Sequence, residues 1–211
     1  MGKPIILVGG GGHSKSVIEA VESTGKEIKG IIDGNKTIGE KVLRYEIIGN
    51  EDAMQEYKEE AEFLISFGFI KDPKMRIRQY YRMKMMGLTF ATVIASTAVV
   101  SKYAKIGEGS VVLHGAKINA GAVIGKNVII NTNAVVEHDT SIGDQCHIST
   151  GVAVNGGCTI GDNVFVGSNS CIANGISICS NVVIGQGSNI YRNIYTAGIY
   201  VSRTRTQKIK S

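Results

Sequence analysis

A six-residue repeat of isoleucine and valine constrains the fold more than any other feature of this 211-residue chain. Counting in steps of six from Ile94 to Ile190, every position is Ile or Val. The ladder comprises Ile94, Val100, Ile106, Val112, Ile118, Ile124, Ile130, Val136, Ile142, Ile148, Val154, Ile160, Val166, Ile172, Ile178, Ile184 and Ile190. A period of six fits neither an α-helix nor an ordinary β-strand, whose periods are about 3.6 and 2. It is typical of a parallel β-solenoid in which each hexapeptide forms one short strand and one corner.

A second repeat, of glycine, sets the size of each coil. Gly107, Gly125, Gly143 and Gly161 are spaced by 18 residues, which is three hexapeptides. This spacing predicts coils of three strands with a triangular cross-section. We expect glycine at these points because it adopts backbone conformations that side chains resist.

Small or β-branched residues lie four positions after most ladder residues. Examples are Ala116, Ala122 and Val128, which fit a tight corner inside the coil without overpacking it. Cys146 and Cys158 fall on the same position. We therefore expect these two cysteines to be reduced thiols that fill space in the core.

Residues 1–90 have the alternating pattern of a small parallel α/β domain, and residues 91–211 form the solenoid domain. Strands are predicted at 5–8, 28–32, 63–67 and 88–93, separated by helical segments. Ser14 and Asn50 are candidate N-caps of the first two helices, and Asp72 with Pro73 begins another.

A glycine-rich turn joins the first strand to the first helix. The run Gly9 to Gly12 lets backbone N–H groups approach an anionic ligand at the start of the helix. Asp33 ends the second strand, where a carboxylate commonly holds a ribose hydroxyl. The domain has about half the strands of a full dinucleotide fold, so a nucleotide-linked sugar suits it better than NAD.

Composition and charge exclude several classes of protein. A hydrophobic content of 43% with 19% charged residues is typical of a globular chain. The net charge of +5 comes without interleaved aromatic residues, so nucleic acid is not the expected partner. No apolar run approaches the ~20 residues of a membrane span, and no signal segment is evident, so we expect a cytoplasmic protein.

The hexapeptides also resemble those of a known family. Motifs such as Ile106-Gly107-Glu108-Gly109-Ser110-Val111 and Ile142-Gly143-Asp144 are similar to those of the hexapeptide-repeat acyltransferases, whose β-helix is left-handed and whose chains form homotrimers. With the Gly-His turn, the whole chain resembles bacterial sugar acetyltransferases that carry a small Rossmann-like N-terminal domain. The resemblance implies an acetyl-CoA-dependent N-acetyltransferase acting on the 4-amino group of a UDP- or dTDP-linked 4-amino-4,6-dideoxy sugar, in bacterial surface glycan biosynthesis.

The same resemblance assigns residues to the nucleotide-linked amino sugar. In family members that use such substrates, the Gly-Gly-His turn, the acidic end of the second strand and a glycine after the third strand hold the ligand. Here these are Gly11, Gly12, His13, Asp33 and Gly68.

His138 is the candidate general base. Acyl transfer from a thioester needs a base, oxyanion donors and correct placement of the reactants, and histidine is the usual base near neutral pH. His138 lies between Glu137 and Asp139 near a predicted corner, outside the core. The family's catalytic His–acid pair falls on this position, so we assign His138 as the base and Asp139 as the acid that orients it, with Glu137 the less favoured partner.

The spacing of two histidines predicts a site shared between chains. His147 follows His138 by nine residues, half of an 18-residue coil, so the two point to opposite sides. They can share a site only if a neighbouring subunit supplies one of them. Family members place a histidine at this spacing against acetyl-CoA, so the resemblance gives His147 that role, with Ser168 and Gly185 lining the remaining cofactor groove.

Three alternatives remain open. O-acetylation of sialic acid would use the same base with an alcohol nucleophile. Some carbonic anhydrases hold zinc on this kind of solenoid. Their ligands follow the pattern of an H-x4-H pair plus a distant third histidine, and this chain has no such pair. A structural or ice-binding solenoid would need stacked Thr-x-Thr faces, which this chain lacks.

The C-terminus departs from the family pattern. Where the family has a Val-Gly-x-Pro-Ala-Lys-like turn, this chain has Tyr200-Val201-Ser202-Arg203-Thr204-Arg205. The hypothesis is that this basic tail contacts the phosphates of CoA.

Overall fold

A computed structural model describes residues 2–201. The chain forms an N-terminal α/β unit followed by a long parallel β-helix of hexapeptide repeats, which is left-handed as expected for the class. The basic tail, for which a contact with CoA was predicted, lies outside the described residues.

The N-terminal unit is a five-stranded sheet with helices on both sides. Its elements are β1 (Ile5–Val8), α1 (Gly12–Ser23), β2 (Ile28–Ile32), β3 (Lys41–Val42), β4 (Tyr45–Gly49), a 3₁₀ helix (Glu51–Tyr57), β5 (Glu62–Ile65) and α2 (Lys74–Met85). The strand order is β3-β4-β2-β1-β5, and all pairs are parallel except β3–β4. The short hairpin β3–β4 was not predicted. In the segment predicted as a strand at 88–93, Phe90 makes an isolated bridge to Phe63, and only Val93 lies in a strand, at the start of the β-helix.

Of the two predicted N-caps, Asn50 is confirmed and Ser14 is wrong. Asn50 caps the 3₁₀ helix as predicted, accepting a hydrogen bond from the Asp52 amide at 3.0 Å. Ser14 does not cap α1, which begins at Gly12 with Gly11 as its N-cap. The Ser14 hydroxyl instead donates back to the Gly11 carbonyl at 2.5 Å and is buried. The N-terminal turn of α1 therefore starts within the glycine run, where no side chain covers it.

The β-helix follows the sequence ladder strand by strand. In chain order β6 to β23 are Val93–Ile94, Val99–Val100, Lys105–Ile106, Val111–Val112, Lys117–Ile118, Val123–Ile124, Ile129–Ile130, Val135–Val136, Ser141–Ile142, His147–Ile148, Ala153–Val154, Thr159–Ile160, Phe165–Val166, Cys171–Ile172, Ser177–Ile178, Val182–Ile184, Asn189–Ile190 and Gly198–Tyr200. From β6 to β22 each strand pairs in parallel with the one 18 residues away, as Val136 does with Val154, and β23 pairs with β21 at a spacing of 16. The predicted coil of three strands is confirmed.

Three flat faces enclose the solenoid core. The first face contains β6, β9, β12, β15, β18, β21 and β23; the second contains β7, β10, β13, β16, β19 and β22; the third contains β8, β11, β14, β17 and β20. Ladder residues fill the interior together with Cys146 and Cys158, which are fully buried free thiols. Burial raises the pKa of the Cys146 thiol to about 12, so it is an inert core group.

The 18-residue glycine repeat has a different cause from the one predicted. A Cβ on Gly107 would lie 2.5 Å from the carbonyl oxygen of Gly125 in the next coil, and Gly125 and Gly143 are crowded in the same way. None of the three has a positive φ. Glycine is needed there because the backbones of successive coils approach closely.

The first face packs on the N-terminal unit. Val93, Val111 and Ile129 point outward from this face and join the core formed by α1 and one side of the α/β sheet. Helix α2 also reaches the solenoid, because Tyr80 and Lys84 both donate to the Glu108 carboxylate, at 3.0 and 2.6 Å. The two parts of the chain therefore share a packed interface, which fixes the position of the α/β sheet relative to the β-helix.

Candidate active site

A cleft opens at the carboxyl ends of β1 and β2 in the N-terminal unit. Its volume is about 310 Å³, and the residues lining it are Val8, Gly9, Gly11, Ile32, Asp33, Gly34, Asn35, Glu51, Phe67, Gly68 and Met75. Ligands of open α/β sheets bind at this edge, outside the carboxyl ends of the strands. Three residues predicted to hold the substrate, Gly11, Asp33 and Gly68, thus line one cleft.

Asp33 shapes the mouth of this cleft. One carboxylate oxygen accepts a hydrogen bond from the Gly10 amide at 2.6 Å, and the other accepts from the Asn35 amide at 2.8 Å. These bonds tie the glycine turn to the loop after β2. Each carboxylate oxygen retains a further lone pair for a ligand hydroxyl.

Gly12 and His13 lie beside the cleft but do not line it. Gly12 is the exposed first residue of α1. His13 is half-buried, and its Nε2 atom is buried without a hydrogen-bond partner within residues 2–201. Burial, together with the charge of Arg76, lowers the pKa of His13 to about 4, so its imidazole is neutral at physiological pH.

His147 occupies the interface between the two parts of the chain. It is only 7% exposed, and a Cβ on Gly68 would lie 3.3 Å from its ring. Its Nδ1 lies 2.9 Å from the Phe69 carbonyl oxygen, which can only accept, so Nδ1 carries the proton. Its Nε2 then accepts from the Asn131 amide at 3.1 Å. Burial lowers the pKa of His147 to about 3, against the contrary effect of the Phe69 bond.

These surroundings are not the ones expected for a histidine that contacts acetyl-CoA, the role predicted for His147. Both ring nitrogens are occupied within the chain, and Phe69 and Phe165 pack edge-on against the ring. The structure leaves His147 no free nitrogen to offer acetyl-CoA. Instead, His147 joins the loop that lines the cleft to the first face of the β-helix.

A buried arginine holds the same loop from the other side. Arg76 is 1% exposed and donates from Nη1 to the Ile65 and Phe67 carbonyls, at 3.1 and 2.5 Å. Its Nη2 donates to Asn127 Oδ1 at 2.6 Å, on a corner of the β-helix. Burial lowers the pKa of Arg76 to about 9, which still leaves it charged near neutral pH. The cleft loop is therefore fixed by Arg76 and His147 together.

His138 has the surroundings expected of a general base. It follows β13, at the corner between the second and third faces, and its side chain is 62% exposed. Its Nδ1 lies 2.9 Å from Asp139 Oδ2, so Nδ1 is the donor and Nε2 keeps a lone pair. Glu137 turns away and accepts from Asn119 at 2.6 Å. Asp139, not Glu137, is thus the acid paired with His138.

Backbone geometry supports this pair. Asp139 has φ 57°, a left-handed conformation that Asp and Asn tolerate better than most residues. The imidazole packs over Gly156 in the next coil, where a Cβ would lie 2.7 Å from Nε2. The absence of a side chain at Gly156 is therefore what lets the ring occupy this position.

Ser168 and Gly185 lie on a different corner. Both follow strands of the first face, β18 and β21, and so stand between the first and second faces. The Ser168 hydroxyl lies 2.9 Å from that of Ser149 in the coil below. The predicted cofactor residues Ser168 and Gly185 thus share one edge of the second face, and His138 lies on its other edge.

Within one chain the second face separates His138 from the cleft. Gly68 and His147 are on the side of the first face, and His138 is at the far edge of the second. The outward residues of the second face near its middle are small and half-buried: Val135, Ala153 and Cys171. Such a face can pack closely against another chain, so the arrangement fits a site completed by a second copy.

Several residues of the cleft had no signal in the sequence. Glu51, Phe67 and Met75 line it although they fall on a 3₁₀ helix, a loop and the outside of α2. Gly156 likewise had no signal in the sequence, because only the stacking of coils brings it under His138.

No group of three His, Cys, Asp or Glu side chains within residues 2–201 is arranged to hold a metal ion. No helix in the same range is long and apolar enough to cross a membrane.

Sequence families match most of the chain in two blocks. The PglD N-terminal domain family matches residues 4–83. The bacterial transferase hexapeptide family matches residues 97–138, 121–156 and 157–192. No curated protein sequence matches the chain significantly.

Solved structures show the same two-part architecture. PerB from Caulobacter crescentus, in complex with CoA and GDP-perosamine, has a TM-score of 0.87 and 29% identity, covering 94% of each chain. The acetyltransferase domain of PglB from Neisseria gonorrhoeae FA1090, in complex with acetyl coenzyme A, has a TM-score of 0.86 and 27% identity, covering 96% of this chain and 97% of that one. WeeI from Acinetobacter baumannii AYE, at 20% identity and TM-score 0.70, covers 89% of this chain and 93% of its own and shares the fold.

The fold and site define a hexapeptide-repeat transferase built on a left-handed β-helix. More narrowly, the chain belongs to the bacterial sugar acetyltransferases that carry a PglD-type N-terminal domain.

Proposed function

We propose that this protein transfers the acetyl group of acetyl-CoA to the 4-amino group of a nucleotide-linked 4-amino-4,6-dideoxy sugar. The proposal rests first on the His138–Asp139 pair, an exposed imidazole whose tautomer is set by a neighbouring carboxylate. It rests also on the cleft at the carboxyl end of the α/β sheet, which suits a nucleotide sugar. The similar Caulobacter enzyme, crystallised with CoA and GDP-perosamine, combines the same two ligand classes.

In the proposed reaction His138 acts as the general base. The amine attacks the thioester carbonyl carbon, and His138 Nε2 takes a proton from nitrogen as the C–N bond forms. The C–S bond then breaks, and CoA leaves with that proton as the thiol. Asp139 holds the Nδ1–H and stabilises the imidazolium that exists between the two proton transfers. No covalent acetyl-enzyme is required, and the thiols of Cys146 and Cys158 are buried in the core.

We propose a homotrimer with each active site formed by two chains. One chain would supply the cleft and the next would supply His138, because the second face separates these groups within a single chain. Acetyl-CoA would lie along the edge that carries Ser168 and Gly185, which would then face a neighbour's His138 edge. In this scheme His147 positions the cleft loop through Phe69 and does not touch the cofactor.

The sequence predicted a UDP- or dTDP-linked sugar, and a role in bacterial surface glycan biosynthesis. Both stay predictions, with GDP added as a candidate by the Caulobacter complex. O-acetylation of sialic acid is disfavoured by one observation: the cleft lies where nucleotides bind in such sheets, and a free sugar acid has no nucleotide to fill it.

The test is a product assay with acetyl-CoA and a panel of amino sugars linked to GDP, UDP and dTDP, with free sialic acid alongside. We expect mass spectrometry to show one acetyl group on the 4-amine of a nucleotide-linked sugar, and none with His138→Ala. Acetylation of sialic acid alone would refute the proposal.

A further inference from the structure

The nucleotide cleft continues outward into a second cavity. This outer cavity has a volume of about 460 Å³ and is lined by Gly34, Asn35, Glu51, Met75, Arg78, Gln79 and Arg82. The first four of these residues also line the inner cleft, so the two spaces are contiguous. A long ligand can therefore run from the glycine turn, past Asp33, to the arginines on α2.

Glu51 stands at the junction in a fixed orientation. It is the first residue of the 3₁₀ helix that Asn50 caps. Arg82 donates to Glu51 Oε2 at 2.8 Å and to Asp52 Oδ1 at 2.9 Å, so the Glu51 carboxylate is held in place. The other oxygen, Oε1, faces the cleft wall, where a Cβ on Gly34 would lie 3.7 Å from it. Glu51 thus presents an acceptor to whatever occupies this space.

The direction of the proposed substrate follows from the position of the β-helix. The sugar amine must reach the acetyl group beside the solenoid, and Gly68 marks that end of the cleft because a Cβ added to it would lie 3.3 Å from the His147 ring on the first face of the β-helix. The nucleobase, at the opposite end of a nucleoside diphosphate sugar, then reaches the outer cavity. Arg78 is exposed there without an ion-pair partner among the described residues, so its positive charge attracts an anionic nucleotide towards the cleft as a whole.

A carboxylate distinguishes guanine from the pyrimidine bases. Guanine presents two adjacent donors, N1–H and N2–H, to an acceptor-only group. Uracil and thymine present a single N3–H between two carbonyl oxygens, so a carboxylate that accepts from N3–H brings negative charge against a carbonyl. A site built around a fixed acceptor rejects a base that lacks the matching donors.

We propose that the substrate carries guanosine diphosphate, and that Glu51 selects it by accepting hydrogen bonds from the guanine N1–H and N2–H in the outer cavity. This inference rests on the proposed function for the identity of the cleft, and it replaces the UDP or dTDP expected from sequence. Arg82 is then a positioning residue, which acts by holding the Glu51 carboxylate.

The test is calorimetric titration of the full chain with GDP, UDP and dTDP. We expect GDP to bind at least about tenfold more tightly than UDP or dTDP, since a good bidentate base contact gives discrimination of this order. Glu51→Gln replaces one acceptor with a donor and should remove most of this preference, leaving UDP affinity within about twofold of wild type. Asp52→Asn is the matched control, because Asp52 also binds Arg82 but does not line either cavity.

The outcomes are distinguishable. Equal or tighter binding of UDP or dTDP by the wild-type protein overturns the guanine assignment without affecting the acetyl-transfer proposal, and this comparison needs no variant to fold. An unchanged preference in Glu51→Gln, with normal thermal melting, overturns the role of Glu51. If none of the three nucleotides binds, the cleft does not hold a nucleotide sugar and the proposed function itself fails.

Discussion

Replacing Gly156 with alanine tests the position of the proposed base without touching His138 itself. The added Cβ would lie 2.7 Å from His138 Nε2 and 2.8 Å from Cε1. Ordinary contacts are about 3.5 Å or more, so the ring must move by about 1 Å. The φ of Gly156 lies outside the left-handed region, so the backbone accepts alanine. Because the exposed ring can swing away, the fold should tolerate the change.

The expected loss is in turnover. Displacing a catalytic group by ~1 Å can cost about 10²-fold, which corresponds to about 2.7 kcal/mol of activation free energy. We expect kcat to fall by about this factor in a steady-state assay of CoA release, with the KM for acetyl-CoA and the melting temperature nearly unchanged. Asn174→Ala, one coil further along the same corner, is the control and should behave like wild type. Wild-type turnover in Gly156→Ala would refute the view that His138 acts from this position.

Three further predictions concern the base, its partner and the interface histidines. His138→Ala should lower kcat by roughly 10²- to 10⁴-fold without loss of thermal stability, since the side chain is exposed; comparable turnover in the variant would remove His138 from the mechanism. Asp139→Asn keeps the left-handed φ and a hydrogen-bond acceptor but loses the charge, so kcat should fall at least about fivefold yet less than in His138→Ala; a loss as large as that of His138→Ala would count against a merely orienting role. His13 and His147 stay neutral in the folded state, with pKa values of about 4 and 3, whereas the unfolded chain takes up protons below its ordinary pKa of 6.5. Stability should therefore be full well above pH 6.5 and lower by about 2 kcal/mol per histidine at pH 5, measured by urea unfolding at fixed protein concentration; His147→Gln should flatten this dependence, and a flat wild-type profile would contradict the assigned burial.

The β-helix could be predicted from the sequence because its repeat is strictly local. Each hexapeptide meets the same neighbours one coil away, so the ladder fixes both strand positions and their register. The burial of ladder residues also depends on having a neighbouring coil on each side. Ile94 is 38% exposed because no coil precedes it, whereas Ile148 is fully buried. A sequence period shows which residues repeat, but not where the stack ends.

The N-terminal unit was predicted less completely. Buried apolar runs marked β1, β2 and β5, but the strands of the hairpin β3–β4 are short, and Lys41 and Glu46 within them are exposed and charged, so no apolar run marked them. The residues Asp33 and Gly68 were placed by resemblance and do line one cleft. Glu51 and Met75 were missed because their approach to the cleft depends on tertiary packing of separate elements.

His147 illustrates the limit of spacing arguments. Counting residues predicted correctly that it lies on a different side from His138, but not that Phe69 and Asn131 would occupy its ring nitrogens. Whether an outward residue of a solenoid faces solvent or another domain depends on where that domain packs. The first face carries the N-terminal unit, and no six-residue pattern records it.

The most direct test of a site shared between chains is subunit complementation. His138→Ala removes the base, and Asp33→Ala removes the bonds that shape the cleft, so each variant alone should be inactive while still folded and assembled. Chains of both kinds are co-expressed with different affinity tags, and mixed oligomers are purified and assayed for sugar acetylation. If one chain supplies the cleft and its neighbour supplies His138, every mixed trimer contains one restored site among its three, so the purified mixed oligomers should have about a third of the wild-type activity. Mixed oligomers as inactive as either parent would contradict the account.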